Sequence, residues 1–126
     1  MAGEPILVVD DNPTNLKLVS YLLSRRGYQV QSAAGAREAL EALQTFRPAL
    51  ILMDMQMPGI DGFELTRRLK ADPATHEIII IALTAYAMKG DEERVRAAGC
   101  DGYMPKPIDT RTLPLKVASW IAGERP

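Results

Sequence analysis

The stretch LILMD at residues 50–54 decides the fold of this chain. Four consecutive apolar residues end in a carboxylate, and such a run suits a strand that is covered on both faces within a parallel sheet. Two further runs, ILVV at residues 6–9 and IIIIAL at residues 78–83, have the same character. The sequence therefore predicts three buried strands.

Two weaker strand candidates complete the predicted sheet. Residues 28–31 (YQVQ) alternate apolar and polar side chains, and residues 102–104 (GYM) form a very short run. Both patterns indicate edge strands. In the flavodoxin-like strand order 2-1-3-4-5 the second and fifth strands are outermost, and these are the two weak candidates.

Segments with helical spacing separate the strands. Their apolar residues recur at i, i+3, i+4 and i+7, and the stripes are Leu16, Val19 and Leu23; Ala36, Ala39, Leu40 and Leu43; Leu65 and Leu69; and Leu113, Val117, Trp120 and Ile121. Residues 88–98 have the poorest stripe, so we predict a helix there that is weakly held to the core. Five strands alternating with five helices predict an α/β fold with a doubly wound parallel sheet.

Length and composition restrict the class of protein. The 126 residues suit one domain, predicted to span residues 1–126 with a core at about 5–122. The net charge is -1, with 15 basic and 16 acidic residues, so no basic face for nucleic acid is expected. A single cysteine excludes an internal disulfide, and neither a secretory signal nor a membrane span is evident. We expect a cytoplasmic protein.

Carboxylates follow two strands that are neighbours in this order. Ligands of such sheets bind beyond the carboxyl ends of the strands where the winding reverses, which here lies between the first and third strands. Asp10 and Asp11 follow the first strand, and Asp54 ends the third. These acids could merely cap helices, but Asn12 and Asp61 are better placed for that role. Because clustered carboxylates repel one another, we predict that a cation joins them.

The chemistry of the cation and of two further strand ends indicates phosphate. With no His or Cys nearby in sequence, an oxygen-liganded Mg²⁺ is predicted, Mn²⁺ being possible; a structural Ca²⁺ site would also explain the acids alone. Thr84 ends the fourth strand and Lys106 follows the fifth. A nucleophile, a metal and donors to the phosphoryl oxygens together predict phosphoryl transfer, in which an aspartate can be the nucleophile.

Two prolines leave local geometry open. The bond between Lys106 and Pro107 is cis or trans in a rigid turn. Pro114 lies inside or near the start of the last helix, where proline is tolerated only in the first turn. Either that helix begins near Arg111 or its start is distorted.

Four motifs, in order at the ends of four strands, resemble the receiver domain of bacterial two-component response regulators. They are Asp10-Asp11, DMQMPGIDG at residues 54–62, LTA at residues 83–85 and Lys106-Pro107. The resemblance covers about residues 5–122. Residues 11–16 and 84–88 are most similar to stand-alone receivers and to those attached to hybrid histidine kinases.

The resemblance implies roles for individual residues. Asp54 would be the phosphoacceptor, with Asp11 and Asp54 binding the metal directly and Asp10 helping through water. Gln56 would contribute its backbone carbonyl to the metal. Thr84 and Lys106 would contact the phosphoryl oxygens. Tyr103 would be the aromatic switch residue.

The resemblance also implies a partner and an output. A histidine kinase or histidine phosphotransfer protein would supply the phosphoryl group from phosphohistidine, and the domain would not be a turnover enzyme. We expect residues 88–98 and the fifth strand to form the responsive face for a downstream protein target. The protein would be a monomer or a phosphorylation-dependent dimer.

Three alternatives remain open at this point. A phosphatase with an aspartyl nucleophile would place a second acid two residues after the nucleophile, where this chain has Gln56. A flavodoxin-like electron carrier would need a glycine- and hydroxyl-rich phosphate loop in place of residues 10–13. A receiver that acts by binding, without phosphorylation, is the third.

Overall fold

The computed structural model describes residues 3–57, 59, 61–84 and 89–123, with side chains of the fourth helix from residue 92 onward. Strands and helices alternate throughout. They are β1 (Pro5–Val9), α1 (Pro13–Ser24), β2 (Gln29–Ala33), α2 (Ala36–Ala42), β3 (Leu50–Asp54), α3 (Gly62–Ala71), β4 (Ile79–Thr84), α4 (Lys89–Ala98), β5 (Gly102–Pro105) and α5 (Leu113–Ile121).

All five strands form one parallel sheet in the order β2-β1-β3-β4-β5, which confirms the predicted topology. The three apolar runs are the central strands, and the two weak candidates lie at the edges. Val9 pairs with Met53, and Thr84 pairs with Pro105. This register brings the carboxyl ends of β1, β3, β4 and β5 to a common level at one edge of the sheet.

Helices cover both faces of the sheet, so the core has two layers. Helices α1 and α5 pack with alternate strand residues on one face. Helices α2, α3 and α4 pack with the intervening residues on the other face. Side chains of the central strands such as Leu7, Ile51 and Ile80 are fully buried, and each contributes about 1.5–3 kcal/mol of hydrophobic free energy.

Polar caps fix where the helices begin. Asn12 accepts hydrogen bonds from the backbone N–H groups of Thr14 and Asn15 at 2.9 and 3.2 Å, and Pro13 is the first residue of α1. Asp61 accepts one from the Glu64 N–H at 3.0 Å at the start of α3. Both predicted caps are confirmed, which leaves the three other acids for the edge of the sheet.

The two proline questions are answered by the structure. Pro114 lies in the first turn of α5, which begins at Leu113 with Thr112 as its N-cap, so the helix is not interrupted. The Lys106–Pro107 peptide bond is cis. The start of the fourth predicted helix at Met88 lies outside the described residues. Among the residues described, none of the helices is both long and apolar enough to span a bilayer.

Candidate active site

Three carboxylates converge at the carboxyl edge of the sheet, as the sequence predicts. Asp10, Asp11 and Asp54 each offer an oxygen, and these oxygens all lie within 4.8 Å of one another. The side chains of Asp10 and Asp54 are buried, each with 1% relative exposure, whereas Asp11 is exposed. The cluster is therefore shielded from solvent at Asp10 and Asp54 and open to solvent at Asp11.

Lys106 is the cation that the structure places against this cluster. Its Nζ lies 3.2 Å from Asp54 Oδ1 and 3.5 Å from Asp10 Oδ2. The Lys106 backbone N–H donates to the Thr84 carbonyl at 2.7 Å, which joins the loop after β5 to the end of β4. Because one ammonium faces three carboxylates, negative charge dominates among these four side chains.

The buried acids also hold the backbone, a role that sequence reasoning missed. Asp10 Oδ1 accepts from the Asn12 N–H at 2.9 Å, and Asp54 Oδ1 accepts from the Gln56 N–H at 3.0 Å. Aspartate commonly bonds the backbone two residues on in this way, so the positions of the acids directly after strands could have suggested it. These bonds orient both carboxylates before any ligand is present.

One oxygen of Asp54 has no such bond. Asp54 Oδ2 is buried and has no hydrogen-bond partner among the described residues. Burial raises the pKa of the Asp54 carboxyl from 3.8 to about 6, against the opposing effects of the Gln56 N–H and the Lys106 charge, while the Asp10 charge raises it further. The ionised carboxylate is thus under-compensated by the protein alone.

The donor set fits a hard divalent cation. The three acids supply only oxygen, which is the ligand type that Mg²⁺ and Mn²⁺ prefer. A cation beside Asp54 Oδ2 would compensate an oxygen that otherwise lacks a partner. The residues present therefore fit such an ion.

Gly62 brings helix α3 against the end of β3, and its contribution was not predicted from the sequence. A Cβ at this position would lie 2.3 Å from the Asp54 carbonyl oxygen and 2.8 Å from Met55 Cα. Only glycine allows this approach. The first turn of α3 thereby packs directly on the backbone that carries Asp54.

The remaining predicted residues lie on the adjacent strands β4 and β5. Thr84 ends β4 and is buried, with 4% relative exposure. Tyr103 lies on β5 opposite Ala82, and its hydroxyl donates to Glu92 Oε2 of α4 at 3.4 Å. The structure thus brings Asp10, Asp11, Asp54 and Lys106 together directly, and it places Tyr103 on the face of the sheet that α2, α3 and α4 cover.

Comparison with known proteins agrees with this geometry. The family model described as the response regulator receiver domain matches residues 6–118. Curated relatives include the polar-differentiation response regulator DivK of Brucella anthropi, 46% identical over 116 residues that cover 92% of this chain and 94% of the relative. DivK of Brucella ovis is 45% identical with the same coverage.

Solved receiver structures have the same fold. The chemotaxis response regulator CheY4 of Vibrio cholerae superposes with a TM-score of 0.87 at 30% identity, covering 95% of this chain and 99% of that one. A second match is the receiver domain of a sensor histidine kinase from Pseudomonas aeruginosa, described with a magnesium ion coordinated in its active site cleft. It superposes with a TM-score of 0.86 at 36% identity, covering 96% of this chain and 99% of that one. This chain belongs to the response regulator receiver domain family.

Proposed function

We propose that this protein is a phosphoacceptor switch of a two-component phosphorelay, in which Asp54 takes a phosphoryl group from phosphohistidine on a kinase or a phosphotransfer protein. The bond between phosphorus and the histidine nitrogen breaks as a bond to an Asp54 carboxylate oxygen forms. The proposal depends most on one observation. The Asp54 carboxylate is 1% exposed, has an oxygen without a hydrogen-bond partner among the described residues, and lies between two other acids and an ammonium.

The cation site follows from the same residues. Asp10, Asp11 and Asp54 would hold Mg²⁺, or Mn²⁺, and Gln56 would add its backbone carbonyl oxygen. When bound, the ion supplies positive charge that reduces the repulsion between these carboxylates and the oxygens of an incoming phosphoryl group.

Protein groups perform the other tasks. Lys106 Nζ, 3.2 Å from Asp54 Oδ1, is placed to pair with a phosphoryl oxygen once one arrives at Asp54. The Thr84 hydroxyl would donate to another, as stabilisation of charge on the transferring group requires. A carboxyl whose pKa is about 6 is mostly ionised near neutral pH, so Asp54 needs no separate base. Later attack by water on phosphorus would release phosphate and reset the switch.

The output would be a change of surface around α4 and β5, with Thr84 and Tyr103 as the switch pair. Of the α4 residues 92–98, only Val95 and Ala98 are buried, so this helix can rearrange at low cost. The altered face would bind a downstream protein or a second copy of the chain. We place the protein in the cytoplasm as a switch rather than a turnover enzyme.

Intact-mass spectrometry after incubation with acetyl phosphate tests the proposal. With Mg²⁺ present, the wild type should gain one phosphoryl group, and EDTA should abolish the gain. Asp54→Asn should remain unmodified, because the amide is a poor nucleophile. Asp109→Asn, an exposed acid after β5, serves as the control and should behave like the wild type.

Two outcomes would reject the proposal. One is a wild type that gains no phosphoryl group at saturating Mg²⁺, and the other is an adduct that persists in Asp54→Asn. Sustained turnover of p-nitrophenyl phosphate by the wild type would instead favour a phosphatase.

A further inference from the structure

A carboxylate on α4 links Tyr103 to a neighbouring arginine. The Tyr103 hydroxyl donates to Glu92 Oε2 at 3.4 Å, and Arg96 Nη2 lies 3.3 Å from Glu92 Oε1. Glu92 thus has one oxygen on the tyrosine of β5 and the other on its own helix. Both contacts are long for hydrogen bonds, so each is weak and readily exchanged.

The sheet places this contact next to Thr84. Tyr103 pairs with Ala82 on β4, and paired residues of adjacent strands point to the same face. Thr84 lies two residues beyond Ala82 and therefore shares that face, about 7 Å further along the strand. Tyr103 therefore pairs with β4 two residues before the end of that strand, and its hydroxyl contacts Glu92 of α4.

From residue 92 onward, helix α4 buries few apolar side chains among the described residues. Val95 is the large apolar side chain that it buries among residues 92–98. The Arg94 guanidinium lies over the Phe63 ring of α3 at 4.5 Å from its centroid. Because residues 92–98 bury only Val95 and Ala98, the contact from Glu92 to Tyr103 adds a polar link between the described part of α4 and β5.

We propose that Glu92 is a positioning residue, which accepts the Tyr103 hydroxyl and thereby holds the ring against α4 in the unphosphorylated arrangement. The inference rests on the proposed function, since it assumes that Tyr103 moves when Asp54 is modified. Loss of the acceptor lowers the free energy difference between the two arrangements, and so the activated one becomes more populated before any phosphoryl group arrives. A weak charge-assisted bond corresponds to a shift of about fivefold in that equilibrium.

The first experiment compares neighbouring glutamates. Glu92→Ala removes the acceptor, whereas Glu93→Ala removes the same charge from an exposed position one residue on. Phosphorylation by acetyl phosphate with Mg²⁺ should be about fivefold faster in Glu92→Ala and within about twofold of wild type in Glu93→Ala. Glu92→Gln keeps an oxygen acceptor without the charge and should fall between.

Amide NMR spectra of the unmodified proteins report the population directly. Resonances of β5 in Glu92→Ala should lie part of the way from their wild-type positions toward those of the wild type with Mg²⁺ and beryllofluoride. In Glu93→Ala they should not move. This readout does not depend on the rate of the chemical step.

A double-variant cycle shows whether Glu92 acts through the tyrosine. In a Tyr103→Phe background the hydroxyl is absent, so Glu92→Ala should change neither the rate nor the β5 resonances. An effect of the same size in that background would assign Glu92 a different role and overturn the inference.

The remaining outcomes separate this inference from the function on which it rests. If the wild type is phosphorylated on Asp54 but Glu92→Ala matches Glu93→Ala, the positioning role is wrong and the proposed function stands. If the wild type accepts no phosphoryl group and its spectrum does not respond to beryllofluoride, both are wrong.

Discussion

Helices α3 and α4 have ten residues each and cover the same face of the sheet, but they are held very differently. Helix α3 begins at the Asp61 cap and buries four residues, which are Gly62, Leu65, Thr66 and Leu69. Between residues 92 and 98, helix α4 buries two, Val95 and Ala98. Helix α3 is thus anchored along its length, whereas the described part of α4, from residue 92 onward, makes a small apolar contact with the core.

This difference in burial between α3 and α4 matches the strand that precedes each helix. The loop before α3 leaves β3 at Asp54, whose carboxylate must stay aligned with Asp10 and Asp11. Helix α4 follows β4, which ends at Thr84, and a switch needs an element that moves at low cost. Under the proposed function, the chain would combine a rigid support for the acids with a neighbouring helix that responds to them.

Truncation of one buried apolar side chain in each helix should give the largest contrast. Leu65→Ala should lower the free energy of unfolding by about 3 kcal/mol, as is usual for a fully buried leucine. Val95→Ala removes two methyl groups and should cost about 1.5 kcal/mol. Urea denaturation measures both, and equal losses would show that α4 is as firmly anchored as α3.

A methyl group at Gly62 tests how closely α3 is applied to β3. Alanine normally stabilises a helix relative to glycine, but here its Cβ would lie 2.3 Å from the Asp54 carbonyl oxygen. Gly62→Ala should therefore lower the free energy of unfolding by about 2 kcal/mol through overpacking.

Gly35 provides the matched control for this substitution. It precedes α2 as its N-cap, and a Cβ there would have no atom within 4 Å. Gly35→Ala should change the free energy of unfolding by less than about 1 kcal/mol, the usual effect of alanine at an N-cap. A stable Gly62→Ala protein would mean that α3 can withdraw from β3 without cost.

Much of this arrangement could be predicted from the sequence because its signals are local. The apolar run at residues 50–53 indicates a buried strand whatever its neighbours are, and parallel pairing then brings the residues after each strand to one edge. The weak stripe of residues 88–98 likewise predicted the limited burial of α4 from residue 92 onward. Asp10, Asp11, Asp54 and Lys106 met at the predicted edge for this reason.

The features that were missed depend on contacts between elements. The close approach of Gly62 to the Asp54 carbonyl requires the angle at which α3 leaves the loop. The bond from Tyr103 to Glu92 requires the position of α4 over β5. Neither has a periodicity or a spacing that a single sequence displays, since each joins residues through packing of the whole layer.

Replacement of Asp54, which ends the strand that α3 supports, should have a smaller effect. At neutral pH it should raise the free energy of unfolding, whereas the substitutions above lower it. Because burial raises its pKa from 3.8 to about 6, the ionised carboxyl destabilises the folded state. The penalty is absent below pH 4, where the group is protonated in both states, and it is fully present above pH 6, where it is ionised in both. Stability of the wild type relative to Asp54→Asn should therefore fall as the pH rises from 4 to 6.

Thermal unfolding without divalent metal at pH 4 and pH 8 measures this difference. At pH 8, Asp54→Asn should be more stable than wild type by about 1–2 kcal/mol, less than the full pKa shift implies because the buried amide still lacks a partner. At pH 4 the ionisation penalty is largely absent, so the same unpartnered amide should leave Asp54→Asn less stable than wild type by about 1 kcal/mol. Millimolar Mg²⁺ should stabilise the wild type more than Asp54→Asn, since a ligand that binds only the folded state raises its stability. The opposite result would be a wild type that is the more stable protein at pH 8 without metal. It would mean that Lys106 and the Gln56 N–H fully compensate the buried Asp54 charge, which would leave no destabilisation for a cation to relieve.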